Sequence, residues 1–242
     1  MRAVVCGANG AMGKLICGIL GPEVVGKVSL DGENGVPKTF AALGKVEADV
    51  VIDFSHHSAA ASVLAYAKSI GAAAVIGTTG HTAEEKSLIT AAAQEIPVFF
   101  SGNMSLGIAL LCRMAKQAAL GFPNADIEIV ETHHTRKVDA PSGTAHMLFN
   151  AIREVRPQAV ENCGRSGEGK RTRDEIGIHA LRMGNVVGVH EVHIVTNSQS
   201  LILRHEAITR DMLAEGAVDA ARFMVGKGKG LYHMESILED RQ

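Results

Sequence analysis

The first hundred residues alternate between short apolar runs and stretches with helical periodicity. The runs consist almost entirely of Val, Ile, Ala and Phe, a composition typical of strands buried on both faces. The predicted strands are residues 2–6, 24–30, 48–55, 72–77 and 96–101, and the predicted helices are residues 11–20, 58–71 and 83–95. Strands that alternate with helices in this way predict a Rossmann-type α/β domain, in which helices cover both faces of a parallel sheet.

The pattern changes after Ser101. A helix (105–121), a strand (125–134) and a helix (143–155) precede a polar, Gly- and charge-rich segment predicted to be a loop (156–175). Three strands follow, at residues 176–183, 186–195 and 199–208. Tight connectors between them predict an antiparallel meander. A last helix (210–227) and a Gly-rich tail (228–238) can return to the first domain.

The chain therefore divides into two predicted domains. Residues 1–103 and 208–242 form the dinucleotide-binding (Rossmann) domain, and residues 104–207 form a central α+β domain with a mixed or antiparallel sheet. The 242 residues, 46% of them hydrophobic, can bury a substantial core.

Composition excludes several classes of function. The formal net charge is −2 and no long Lys or Arg run occurs, so neither nucleic acid nor an anionic membrane surface is an expected partner. The first apolar run is too short for a signal peptide and no run is long enough to span a membrane, so we expect a cytoplasmic protein. The four cysteines are widely spaced without a Cys-x-x-Cys pair, which argues against a zinc knuckle and a disulfide framework.

A glycine turn, "CGANGAMG", lies between the first predicted strand and the first predicted helix. Gly10 lets the backbone approach a pyrophosphate and Gly13 lets the helix pack on the sheet, while Ala8 replaces the first glycine of the usual G-x-G-x-x-G pattern. The alternative is a plain turn of small residues. We predict cofactor contacts from Gly7, Ala8, Asn9, Gly10, Ala11, Met12 and Gly13.

Asp31 follows the second predicted strand, where an acidic side chain can accept hydrogen bonds from an adenosine ribose. A carboxylate there repels a 2′-phosphate, so NADH is the predicted cofactor, with NADPH possible if Lys14 or Lys38 compensates. The alternative is that Asp31 is only a turn residue.

Two further loops leave predicted strands at the ends where ligands of open α/β sheets bind. They are "GTTG" (77–80) and "SGNMS" (101–105), and each alone is equally compatible with an ordinary turn. We predict that they line the nicotinamide site through Gly77, Thr78, Thr79, Ser101, Asn103 and Met104.

The segment "ETHHTRKVDAPSGTA" (131–145) gathers an acid, a cation and a helix start. His133 and His134 should face opposite sides of a strand unless the strand ends between them. Lys137 can hold a carboxylate or donate a proton, and the residues cannot rank it against His133 as the proton donor. Ser142, Gly143 and Thr144 suit a helix N-terminus that binds a carboxylate.

A metal site is not predicted. His190 and His193 are three residues apart on a predicted strand, so they face opposite sides and cannot readily share an ion.

These motifs, in this order, resemble the 4-hydroxy-tetrahydrodipicolinate (dihydrodipicolinate) reductase family over essentially the whole chain. The motifs are "GANGAMG", "DFS", "GTTG", "SGNMSLG", "ETHHTRKVDAPSGTA", "RSGEGKR", "RMGNVVGVHEV" and "GKGLYHM". The resemblance implies NAD(P)H-dependent reduction of a small dicarboxylate to tetrahydrodipicolinate in diaminopimelate and lysine biosynthesis. It also implies a homotetramer assembled through the central domain.

The resemblance assigns roles to individual residues. It implies that His133 donates the proton, that His134 binds substrate, and that Lys137 contacts one substrate carboxylate and assists protonation. The other carboxylate would bind at Gly143 and Thr144, next to Ser142. Phe54 of "DFS" joins the predicted cofactor residues.

The chain departs from the family pattern at several cofactor-binding positions. Ala11 and Gly32 stand where many members carry arginines that suit a 2′-phosphate, and Met104 stands where relatives place an aromatic residue beside the nicotinamide. The chain is also shorter between Asp31 and Asp49. The absence of the two arginines favours NADH.

Two rival functions remain at this point. Another dehydrogenase of the same two-domain plan would need different catalytic residues, and no cysteine here has a catalytic context. A non-enzymatic NADH sensor would keep the glycine turn and Asp31 but would have no use for His133 together with Lys137.

Overall fold

The computed structural model describes residues 1–241. Two compact units are present: Met1–Ser105 joined by the segment that begins at Asp211, and Leu106–Arg210. It stays a prediction that one domain binds the cofactor and that the other binds the substrate and mediates self-association.

The first unit begins with strands that are buried along almost their entire length. Its elements up to Ser105 are β1 (Ala3–Cys6), α1 (Ala11–Leu20), β2 (Val24–Val28), α2 (Phe40–Leu43), β3 (Val50–Asp53), α3 (Ala60–Ile70), β4 (Ala73–Ile76), α4 (Ala83–Ala92) and β5 (Pro97–Phe100). Every residue of β1, β3 and β4 is buried. Such strands need cover on both faces, which the helices provide.

The second unit packs two helices on a mixed sheet. Its elements are α5 (Leu106–Gly121), β6 (Asp126–His133), α6 (Gly143–Arg153), β7 (Val160–Cys163), β8 (Glu175–Arg182), β9 (Gly188–Val195) and β10 (Ser200–Ala207). The strand order is β10-β9-β6-β8-β7, so β6 lies at the centre. Its residues alternate between buried and partly exposed, and Ile127 and Ile129 join the core under α5 and α6.

The predicted meander of three consecutive strands is wrong. β8 pairs in parallel with one edge of β6, β9 pairs antiparallel with the other edge, and only β9 and β10 form a hairpin. After β8 the chain turns past the end of β6, where Met183 N donates to His133 O and Thr135 N donates to Gly184 O, and β9 therefore runs back along the far side of β6.

The segment 156–175, predicted to be a loop throughout, contains β7. This short strand pairs in parallel with β8 and is largely exposed, so its residues carry little of the apolar signal that marks a strand.

The chain after Asp211 completes the first sheet. It forms α7 (Asp211–Met224), β11 (Gly230–Tyr232) and α8 (Met234–Asp240). The sheet has the order β11-β5-β4-β3-β1-β2 with parallel pairs throughout, which confirms the Rossmann-type prediction. The strand order reverses between β1 and β3, and ligands of such sheets bind outside the carboxyl ends of strands at this point. No helix within residues 1–241 combines the length and apolarity needed to cross a bilayer.

Candidate active site

The glycine turn lies at the reversal point of the first sheet. Gly7 has φ +81°, and a Cβ there would lie 2.2 Å from the Phe54 carbonyl oxygen. A Cβ on Gly13 would lie 2.1 Å from the Gly7 carbonyl oxygen, so α1 approaches the turn more closely than any side chain allows. Gly10 caps α1 without a side chain. The start of α1 is therefore bare backbone, which suits a pyrophosphate group.

Asp31 lies against this turn. Asn9 donates to its Oδ1 at 2.6 Å, and the Glu33 amide donates to the same oxygen at 3.1 Å. The Asn9 hydrogen bond is the main reason that the pKa of Asp31 is below its usual value, so the carboxylate is ionised at neutral pH. An exposed, ionised acceptor beside the glycine turn fits a ribose diol.

A cavity of about 410 Å³ opens beside the ends of β3 and β4. It is lined by seven of the predicted cofactor residues: Met12, Phe54, Gly77, Thr78, Thr79, Asn103 and Met104. The Phe54 ring covers Gly77, where a Cβ would lie 2.2 Å from the ring edge. The Ser101 hydroxyl donates to the Asn103 carbonyl oxygen at 2.7 Å and so helps to fix the conformation of the loop 101–105.

Buried Asp53 fixes two of these loops to each other. The hydroxyls of Ser55 and Thr78 both donate to its carboxylate, and the Ser55 amide donates to Thr78 Oγ1 at 2.9 Å. Burial raises the pKa of Asp53. The loop residues that line the cavity are thus held by hydrogen bonds, which is a precondition for binding a planar ring in one orientation.

A second, more apolar cavity of about 590 Å³ is lined in part by Leu30, Lys38, Phe40 and Tyr66. The Lys38 side chain lies across Gly32, where a Cβ would meet its Cε at 2.5 Å. A cation on a flexible stem therefore lies beside the turn that carries Asp31. These two cavities and the bare helix start fit a dinucleotide.

In the second unit, β6 ends at His133, so the strand ends between the two histidines. His133 is buried, and its Nδ1 donates to the carboxylate of Glu131, two residues earlier on the same face of the strand. Burial lowers the pKa of His133, and the Glu131 carboxylate opposes that shift. Since Nδ1 is engaged, Nε2 is the nitrogen that can exchange a proton with a ligand.

Glu131 has no exposed surface. The Arg182 guanidinium grips both of its oxygens, Nη1 to Oε2 at 3.1 Å and Nη2 to Oε1 at 2.9 Å. Arg182 lies opposite His133 in the parallel register of β6 and β8, and it also donates to the Asp139 carbonyl oxygen.

His134 lies outside the strand and partly exposed. The Arg210 guanidinium donates to its Nε2 at 3.0 Å. Partial burial and the cations Arg136 and Arg210 lower the pKa of His134, so it is neutral near pH 7. The Arg210 charge beside a neutral imidazole suits an anionic ligand.

Lys137 follows in the turn after His134. It pairs with Asp139 across 2.8 Å and holds the pKa of that carboxyl below its usual range. Asp139 is half exposed, so a ligand carboxylate can replace it as the partner of Lys137 without leaving a buried charge unpaired.

Ser142 caps α6. Its Oγ accepts from the Ala145 amide at 3.2 Å, and its own amide donates to Glu131 Oε1 at 3.2 Å. The hydroxyl is therefore committed to the helix start. Gly143 is exposed with open space around it, so the first turn, including Thr144, offers a positive helix end to an anion.

His190 completes this cluster. Its Nε2 lies 3.2 Å from Ser142 Oγ, its ring stands edge-on to His133, and burial lowers its pKa to about 3. His193 instead contacts Glu191. Ligand atoms of Glu131, His133 and His190 lie within 4.8 Å of one another among residues 1–241. Arg182 already neutralises Glu131, so the cluster is better suited to an ion pair than to a metal ion.

Sequence reasoning missed four residues of these sites: Glu131, Arg182, His190 in its observed position, and Arg210. Glu131 could have been found, because positions i and i+2 of a strand share a face. The other three come from β8, β9 and the end of the unit, which only the sheet order brings to the end of β6.

The comparisons with known proteins agree over the whole chain. Two family models match: "Dihydrodipicolinate reductase, N-terminus" over residues 1–104, and "Dihydrodipicolinate reductase, C-terminus" over residues 107–238. A 4-hydroxy-tetrahydrodipicolinate reductase of Clostridium novyi (strain NT) is 38% identical and covers 99% of both chains. One from Caldanaerobacter subterraneus subsp. tengcongensis is 40% identical over 99% of this chain and 98% of the relative.

A solved structure supports the fold. The dipicolinate-bound dihydrodipicolinate reductase from Paenisporosarcina sp. TG-14 has a TM-score of 0.78 and 24% identity, covering 96% of this chain and 97% of that one. The chain belongs to the dihydrodipicolinate reductase family.

Proposed function

We propose that this protein reduces 4-hydroxy-tetrahydrodipicolinate to tetrahydrodipicolinate with NAD(P)H, in diaminopimelate and lysine biosynthesis. The observation that carries the proposal is the end of β6: a buried His133 with a free Nε2, followed by Lys137 and by the capped, open start of α6. The curated relatives with this name, at 38% and 40% identity over nearly full length, support the choice of substrate.

A dicarboxylate needs two separated anion sites. The start of α6 at Gly143 and Thr144 supplies one through backbone amides and the helix dipole. Lys137 supplies the other, with Arg210 beside His134 adding positive charge. Neither site requires a buried unpaired charge.

The cofactor is a nicotinamide dinucleotide, as in the reductase family. When bound, its reduced form supplies the hydride. Loss of the 4-hydroxyl as water would leave a conjugated C=C–C=N system. Hydride addition at C4 of that system would build negative charge on the rest of the ring, which a proton donor must neutralise. His133 can hold the proton on Nε2, and Lys137 is the other candidate donor.

NADH is the proposed preferred cofactor. Asp31 is ionised and exposed beside the glycine turn, so it accepts from a ribose diol and repels a 2′-phosphate. Lys38, lying across Gly32, lessens that repulsion and supports some use of NADPH. A reaction that consumes this cofactor and a biosynthetic intermediate also supports the cytoplasmic location expected from the sequence.

The test is steady-state oxidation of NADH, and separately of NADPH, with substrate generated in place from pyruvate and aspartate semialdehyde. We expect substrate-dependent turnover that favours NADH. A variant with both His133→Ala and Lys137→Ala serves as the blank. Cofactor binding without substrate-dependent turnover would contradict the proposed reaction, and turnover at least as good with NADPH would contradict only the cofactor preference.

We also propose that the chain forms the homotetramer that its family resemblance implies. Between α5 and β10, the half-exposed side chains of Leu110, Met114 and Leu201 line an apolar groove in the second unit. Water contact with this groove is unfavourable, and a second copy can cover it. Sedimentation velocity should give the tetramer mass, and Met114→Glu should shift the distribution to smaller species; a wild-type monomer at micromolar concentration would contradict the proposal.

A further inference from the structure

Glu131 receives four hydrogen-bond donors from three parts of the second unit. His133 Nδ1 and Arg182 Nη1 donate to Oε2, while Ser142 N and Arg182 Nη2 donate to Oε1. A carboxylate accepts at about four lone-pair positions, so this one is fully satisfied. It joins the imidazole of His133 directly to the residue that caps α6.

Stability alone is a poor explanation for this arrangement. Glu131 is fully buried, and a buried ion pair seldom stabilises a fold more than apolar side chains of the same size would. The hydrogen bonds of its carboxylate go to residues of the candidate site or to residues that hold those in place. A carboxylate that accepts at Nδ1 also removes the ambiguity about which imidazole nitrogen carries the hydrogen.

We propose that Glu131, held by Arg182, is a positioning residue that fixes His133 with hydrogen on Nδ1, so that Nε2 carries the transferable proton. Through the same carboxylate, Glu131 also holds the start of α6 in a fixed position relative to His133. This inference rests on the proposed function of the site. Glu131 itself does not touch substrate, and it acts through His133 and Ser142.

The neighbouring charges give the sign of the effect on pH dependence. Facing His133 are Glu131 on its own strand, Arg182 on β8, Lys137 in the following turn, and neutral His190 on β9. Glu131 raises the pKa of His133, whereas burial, Lys137 and Arg182 lower it. An acid must be protonated to work, so activity through His133 falls as pH rises through this pKa.

Two substitutions should therefore move the alkaline limb of the kcat/KM profile in opposite directions. Glu131→Gln removes the anion and should shift the limb about one to three pH units lower, with kcat near neutral pH reduced about 10²- to 10⁴-fold. Arg182→Met leaves the anion unopposed and should shift the limb higher. The NADH dissociation constant should change in neither variant.

The chain offers a matched control. Glu128 lies on the same strand and also pairs with a histidine and an arginine, His179 and Arg171, but lies outside the site. Glu128→Gln thus removes the carboxylate from a cluster of the same composition, and it should leave both kcat and the pH profile unchanged.

A direct measurement needs neither substrate nor a change at Glu131. Nitrogen-15 spectra of wild-type His133, assigned by comparison with His133→Asn, should show hydrogen on Nδ1 in the neutral form. Hydrogen on Nε2 would overturn the proposal, as would a uniform activity loss in Glu131→Gln without a shift of the limb. If Glu131→Gln does not fold, the wild-type spectra and the pH profile of Arg182→Met test the role of Glu131. If the wild-type enzyme has no turnover, the proposed function fails, while the spectra still test Glu131.

Discussion

Replacing His133 with asparagine is expected to lower kcat about 10²- to 10⁴-fold while leaving the NADH dissociation constant unchanged. Asparagine places an amide nitrogen where His133 Nδ1 lies, so the hydrogen bond to Glu131 is retained. What disappears is Nε2. The substitution therefore removes the proposed proton donor without leaving a buried carboxylate short of a partner, and stopped-flow or steady-state oxidation of NADH measures the loss.

A histidine elsewhere on the same sheet provides the control for this experiment. His179 on β8 pairs with Glu128 at 2.9 Å, as His133 pairs with Glu131, and it has no part in the proposed chemistry. His179→Asn should retain wild-type kcat. If His133→Asn kept more than about a tenth of the activity, Lys137 would become the proton donor and His133 a binding residue.

The Rossmann-type unit was predictable because its signals are local. β1, β3 and β4 are continuous apolar runs buried in full, and the glycine turn requires close contacts between residues a few positions apart, such as Gly13 against Gly7. Burial on both faces leaves such strands few alternatives to a covered parallel sheet. Their order also follows from short right-handed connections.

The mixed sheet was less predictable because the alternation of apolar and polar residues along a strand determines which face is buried but not which strand pairs with it. β8 and β9 were expected to pair with each other, yet β6 lies between them. The turn between them contains Gly184, which resembles a hairpin signal, but its backbone bonds go to His133 and Thr135.

The same limit explains the missed site residues. Arg182 reaches Glu131 only because β8 runs parallel to β6 in the register that places Arg182 opposite His133. His190 reaches Ser142 only because β9 lies along the other edge, opposite Glu131. Neither relation can be inferred from spacing along the chain, since sequence separations near fifty residues carry no register information.

Gly13→Ala is expected to disrupt cofactor binding through a clash between α1 and the glycine turn. Its Cβ would lie 2.1 Å from the Gly7 carbonyl oxygen and 2.7 Å from Ala8 Cα, and both of these are backbone atoms. The turn cannot move away, because the Gly7 amide is bonded to Val28 O at 2.8 Å. Since α1 must shift, we expect the free energy of unfolding to fall by about 1–3 kcal/mol. The NADH dissociation constant should rise about tenfold or more, because the misplaced amides cost at least about 1.4 kcal/mol of binding free energy.

Gly18→Ala separates this clash from the ordinary effect of alanine in a helix. Gly18 lies in the same helix, and nothing is within 4 Å of the position of its Cβ. Alanine there should stabilise the unit by about 0.5–1 kcal/mol and leave NADH binding unchanged. The fluorescence of NADH, which is excited at wavelengths that protein side chains do not absorb, reports affinity, and thermal unfolding followed by circular dichroism reports stability. Wild-type affinity and stability in Gly13→Ala would show that the helix start can move by an ångström at no cost, and the assignment of this turn as a rigid phosphate site would then be wrong.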